Sequence, residues 1–186
     1  MNDSEFRKKL EEFEGYAEHM YLDGKGYVTI GIGIMLASAA AAKSAGIKFT
    51  NRDTGAAATP EEIEADYNSV KGATAGMFPP SKYKKSTKLD GDAASLKKEL
   101  DARLKTAEAD RKAFYKDVAD LPSSVQYALL DMAFNLGRSN LMKYKKLKTA
   151  LEAKDWKTAA KESNRNGIQA SRNKAISDWI LAGEKG

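Results

Sequence analysis

Three residues near the start of the chain have types and spacing that suit hydrolytic chemistry: Glu14, Asp23 and Thr29. Two carboxylates across a cleft are the usual equipment for cleaving a glycosidic bond. One must hold a proton for the leaving oxygen. The other must stay ionised to activate water or attack the sugar, so their surroundings must differ. Glu14 falls at the end of a charged amphipathic run, where a helix C-terminus opposes negative charge by a few tenths to ~1 kcal/mol. Asp23 stands just before a Gly24-Lys25-Gly26 tip, where aspartate bonds its own backbone. Taken singly, each has an ordinary reading: a solvated helix-end glutamate, a turn aspartate and a β-branched strand residue.

The elements around them follow from periodicity. A first helix is expected over about Ser4–Glu14, with Asn2, Asp3 or Ser4 as its cap, a Phe6/Leu10/Phe13 stripe and Gly15 as its stop. Tyr21–Gly31 reads as a hairpin that folds Asp23 and Thr29 back toward Glu14. A short helix over Ser38–Ala45 and a loop or short strand over Ile47–Ala58 come next. Thr59-Pro60-Glu61-Glu62 is a capping box with proline at the first helical position, followed by a buried Ile63/Tyr67/Val70 face. Gly72–Gly91, with Lys82, Lys84, Lys85 and Lys88, reads as a surface excursion. Helices are then expected from Leu96 to about Asp110, a short one through Phe114, and others over Ser123–Leu136 (ended by Gly137), Tyr144–Ala153, Asp155–Glu162 and Ser171–Leu181.

Composition narrows the class. The chain has 186 residues, 42% hydrophobic and 31% charged, with a formal net charge of +5. That describes a solvated globular protein, and the apolar stretch Ile30–Ala42 is too short for a membrane span. Without cysteine, disulfides, thiolate metal sites and a cysteine nucleophile are excluded. The positive excess favours anionic partners such as wall polymers. The lysines are spread over several elements and no nucleic-acid reading motif appears, so no nucleic-acid partner is expected. The first residues lack the pattern of a secretory signal, so release or delivery by another system is expected.

Glu14-Gly15, Tyr21-x-Asp23 and Gly26-Tyr27-x-Thr29-Ile30-Gly31-Ile32-Gly33 together resemble the signature of phage-type lysozymes (glycoside hydrolase family 24). Ala128–Gly137, Asp155–Ala160 and Arg172-Asn173-Lys174 resemble that family's later helices. The resemblance implies an α+β, predominantly helical, two-lobed fold with a cleft between the lobes. The whole chain, 1–186, would form one lysozyme-like domain: a small mixed lobe over 15–72, a helical lobe of 1–14 and 93–186, and the excursion over 73–92. It further implies an inverting muramidase acting on peptidoglycan in the periplasm or cell wall, with no cofactor and no metal, working as a monomer without membrane insertion. Glu14 would be the general acid, and Asp23 with Thr29 would place the attacking water. Arg172 would lie near Glu14 and support it electrostatically. Phe134 and Asn135 would line the cleft, and Gly33 would let a sugar ring approach the backbone.

The chain departs from the family pattern in places. Ile34 stands where a histidine is usual, and its acidic partner falls at Leu100, so an apolar contact replaces an ion pair. Arg165 and Asn166 stand near the place of a Trp-Tyr pair. The only histidine, His19, reads as solvated or locally packed. A non-catalytic peptidoglycan-binding module, or a delivered antibacterial effector with a cognate inhibitor or immunity protein, are the competing expectations.

Overall fold

The computed structural model describes residues 3–76 and 78–185, which form an α+β fold dominated by helix. Asn2, one of the expected caps, lies outside the described residues. The chain divides into two compact units, Lys8–Ala102 and Met1–Arg7 with Arg103–Gly186. The division falls inside two helices, α1 (Asp3–Glu14) and α4 (Ala93–Phe114).

In the first of these units an antiparallel sheet carries β1 (Ala17–Leu22), β2 (Val28–Gly31) and β3 (Ile34–Met35) in that order. Tyr21 pairs with Thr29 and Leu22 with Val28, while an irregularity between Ala17 and Tyr21 lets β1 reach Gly31. The helix α2 (Ala39–Ser44) starts at Ser38, whose hydroxyl accepts from the Ala41 amide. The next helix, α3 (Pro60–Lys71), carries the expected capping box: Thr59 Oγ1 accepts from the Glu62 amide, and Glu62 accepts from the Thr59 amide. Ile63, Tyr67 and Val70 join the sheet's Met20, Ile30 and Ile34 in one apolar core. A Cβ on Gly31 would meet Ile34 at 3.1 Å and Leu96 at 3.3 Å, so both side chains pack closely around this glycine.

The 73–92 segment differs from the surface excursion its composition suggests. It holds a 3-10 helix (Pro80–Ser86) and β5 (Leu89–Gly91), which pairs with β4 (Phe49–Asn51). Tyr83 and Leu89 are buried. Two charged residues fasten the segment. Asp66 on α3 accepts from the amides of Lys88 (2.8 Å) and Leu89 (3.0 Å). Arg52 pairs with Asp90 at 2.7 Å and donates to the carbonyls of Lys84, Thr87 and Leu89. The lysines stay outside while alternate residues turn inward. His19 is also drawn in: it is buried, with Nε2 2.9 Å from the Pro80 carbonyl.

The other unit is helical. Within α4, no glycine or proline interrupts the run from Ala93 to Phe114, so the two helices expected there are one. The helices α5 (Ser123–Leu141), α6 (Lys145–Glu152), α7 (Trp156–Glu162) and α8 (Ala170–Leu181) complete it. Gly137 breaks α5 with φ 67° and ψ 166°, after which one more turn forms. Val125, Leu129, Met132, Leu147, Ile176 and Ile180 are fully buried, each contributing about 1.5–3 kcal/mol. Phe6 stacks on Tyr127 at 5.2 Å and lies 6.5 Å from Trp179.

Candidate active site

Glu14 closes α1, and Gly15 stops the helix by taking φ 74° and donating its amide to Glu11 O at 2.8 Å. The Glu14 side chain lies against Gly33, which has φ 65°. A Cβ on Gly33 would stand 2.9 Å from Glu14 Oε2. The space a side chain would fill is therefore taken by the carboxylate of Glu14, where the sequence suggested an approaching sugar ring.

Asp23 follows β1 and shapes the turn into β2. Its Oδ1 accepts from the amides of Lys25 (2.9 Å) and Tyr27 (2.8 Å). Its backbone closes the same turn, with the Asp23 amide donating to Tyr27 O and the Gly26 amide donating to Asp23 O, each at 2.9 Å. Thr29 is buried on β2, and its hydroxyl donates to Tyr27 O at 3.1 Å. Asp23 and Thr29 are thus joined through the backbone of Tyr27. Oδ2 of Asp23 has no partner among the described residues.

Tyr21 belongs with these groups, although sequence reasoning gave it no role of its own. Burial pushes the pKa of its phenol well up, and the negative charges of Glu14 and Asp23 push it further, while a hydrogen bond from the Gly33 amide opposes them. The available signal was its position two residues before Asp23, since strand alternation sets such residues on one face.

The remaining candidates lie in the helical unit. Arg172 is buried, and its Nη2 and Nε donate to Asp131 at 2.7 and 3.1 Å. Asp131 is fully buried, and a second guanidinium, Arg165, brings its Nη2 within 3.0 Å of Asp131 Oδ2. That contact is a charge contact poorly aligned for a hydrogen bond. Arg165 also donates from Nη1 to Asn135 Oδ1 (3.2 Å) and exchanges bonds with Asn173. Burial lowers the pKa of Arg165, with Asp131 pulling it back up. Asn135 is therefore tied into a buried charge cluster, and Phe134 beside it on α5 is half-buried. Sequence reasoning missed Asp131 and read Arg165 only as a departure; an aspartate on the apolar face of α5 was the signal.

Among the described residues no group of three or more His, Cys, Asp or Glu is placed to hold a metal ion. None of the described helices is long and apolar enough to cross a membrane. A family model described as phage lysozyme matches residues 11–175, spanning both units. The chain belongs to the phage lysozyme family, whose members are glycosidases that degrade cell-wall peptidoglycan. No curated protein matches it.

Proposed function

We propose that this chain is a muramidase that hydrolyses the β-1,4 bond between N-acetylmuramic acid and N-acetylglucosamine with inversion. The observation that carries this reading is the turn around Asp23. Oδ1 of Asp23 is occupied by two backbone amides, which leaves Oδ2 as an acceptor. Thr29 spends its single proton on Tyr27 O, which leaves its oxygen lone pairs as acceptors too. A water at this turn donates one proton to Asp23 and the other to Thr29. Its own lone pair is then directed outward, toward an anomeric carbon.

The proton balance is simple. As the water oxygen bonds to the anomeric carbon, Asp23 takes one of its protons. Glu14, in its protonated form, gives its proton to the departing glycosidic oxygen. Each carboxyl then exchanges one proton with solvent to begin again. Gly33 supports the donor by letting Glu14 lie against the backbone, and Tyr21, held neutral, adds no charge beside the two carboxyls. In the helical unit, Phe134 and Asn135 serve as substrate contacts, and Arg172 keeps its bonds to Asp131.

The test is digestion of purified peptidoglycan by wild type and Glu14→Gln side by side, with products read by mass spectrometry. Muropeptides with new reducing N-acetylmuramic acid ends are expected from wild type alone. An active Glu14→Gln enzyme would overturn the general-acid role. Retained binding without cleavage by either protein would leave a peptidoglycan-binding module.

A further inference from the structure

We propose that Lys71 is a positioning residue that fixes the orientation of Asp23 from outside the hairpin. The proposal rests on the reading of Asp23 and Thr29 as the pair that holds the attacking water. Lys71 is the last residue of α3. Its Nζ donates to Gly26 O at 2.9 Å and stands 5.9 Å from the centre of the Tyr27 ring. Gly26 C=O and Tyr27 N–H are the two ends of one peptide unit. The N–H end is the donor that holds Asp23 Oδ1 at 2.8 Å.

A peptide unit is planar, so fixing its carbonyl fixes the direction of its N–H. A cation on the carbonyl also polarises the amide and strengthens the bond it donates. The anchor matters because the plane begins at Gly26, which has φ 79° and no side chain to restrict rotation. Tyr27 is exposed, so apolar burial does not hold this plane in place. Lys71 grips it twice, by the carbonyl and by the face of the tyrosine ring. The next peptide carries Tyr27 O, which takes the Thr29 proton. One ammonium group on a helix end therefore sets both acceptors of the water site.

The ordinary role for a lysine in the last turn of a helix is to complement the helix dipole. That role predicts a change in stability and none in turnover at constant stability. The test compares wild type, Lys71→Met and Lys71→Arg for kcat and KM on soluble glycan strands, thermal midpoint, and amide exchange at Lys25 and Tyr27. Lys71→Met is expected to lower kcat about tenfold with KM changed less than about twofold, the pattern of a misplaced group. Exchange at Tyr27 is expected to quicken roughly tenfold. Lys71→Arg keeps the donor and the cation over the ring, and is expected to restore most of both. Wild-type kcat and exchange in Lys71→Met would overturn the proposal. So would equal losses in both variants that follow a drop in thermal midpoint. If wild type cleaves no glycan, the muramidase reading falls, while the exchange and its rescue by arginine still decide whether Lys71 fastens the turn.

Discussion

At Gly33 two constraints coincide: φ is 65°, and the room beyond the Cα is filled by the Glu14 carboxylate. Gly33→Ala therefore meets backbone strain of about 1–2 kcal/mol and pushes Glu14, the proposed proton donor, aside. The expected result is a thermal midpoint a few degrees lower and kcat down by about 100-fold, the order of loss from a 1 Å misplacement. Steady-state turnover at a temperature where the variant stays folded separates the two effects. Thr29 tests the water site differently. Thr29→Val keeps the shape and removes both the bond to Tyr27 O and the acceptor, so kcat should fall about tenfold, less than the roughly 100-fold or more expected for Asp23→Ala. Thr29→Ser should recover most of the loss. Glu14, Asp23 and Thr29 stand out in the sequence because they sit close together in a patterned stretch. The use of Gly33 was not, because a glycine reports that something approaches and not what.

On α5 and α8, one carboxylate serves two guanidiniums. Asp131→Asn would remove the buried carboxylate that Arg165 and Arg172 share. A loss of about 3–5 kcal/mol is expected, read by urea unfolding. Asp131 lies on α5 and Arg165 in the connection between α7 and α8, so no local pattern announces their pairing. By contrast, the Thr59–Glu62 box and the Gly15 stop are local devices and were readable as such. The 73–92 segment shows the same divide. Its lysines and glycines resemble loop composition, while its anchors, Asp66 and Arg52, come from earlier elements. Tyr127 on α5 makes a prediction at alkaline pH. Burial and its hydrogen bond to Asp3 raise its pKa to about 12. A raised value means that the folded state keeps the proton where the unfolded chain gives it up. The stabilisation is whole below about pH 10 and drains away as pH rises toward 12. Tyr127→Phe should flatten that part of the stability profile, measured by denaturant midpoints across the range.

For the whole molecule, a net charge of +5 sets the approach to an anionic wall. Turnover on intact walls should fall with added salt, while turnover on short neutral glycans should hold nearly steady; parallel salt series check this. The predominance of helix, the early sheet and the family were all legible from the sequence. The two compact units meet within α1 and α4. Helices continue wherever their own stripe continues, whatever unit they serve. That division has a consequence for synthesis. Residues 8–102, with Glu14, Asp23, Thr29 and Lys71, are all translated before Asp131, Arg165 or Arg172. The first seven residues must wait longer still, since Phe6 finds Tyr127 and Trp179 only after those residues have been translated. The nascent chain thus carries Glu14 and the Asp23 turn early, and gains the Asp131, Arg165 and Arg172 cluster only later.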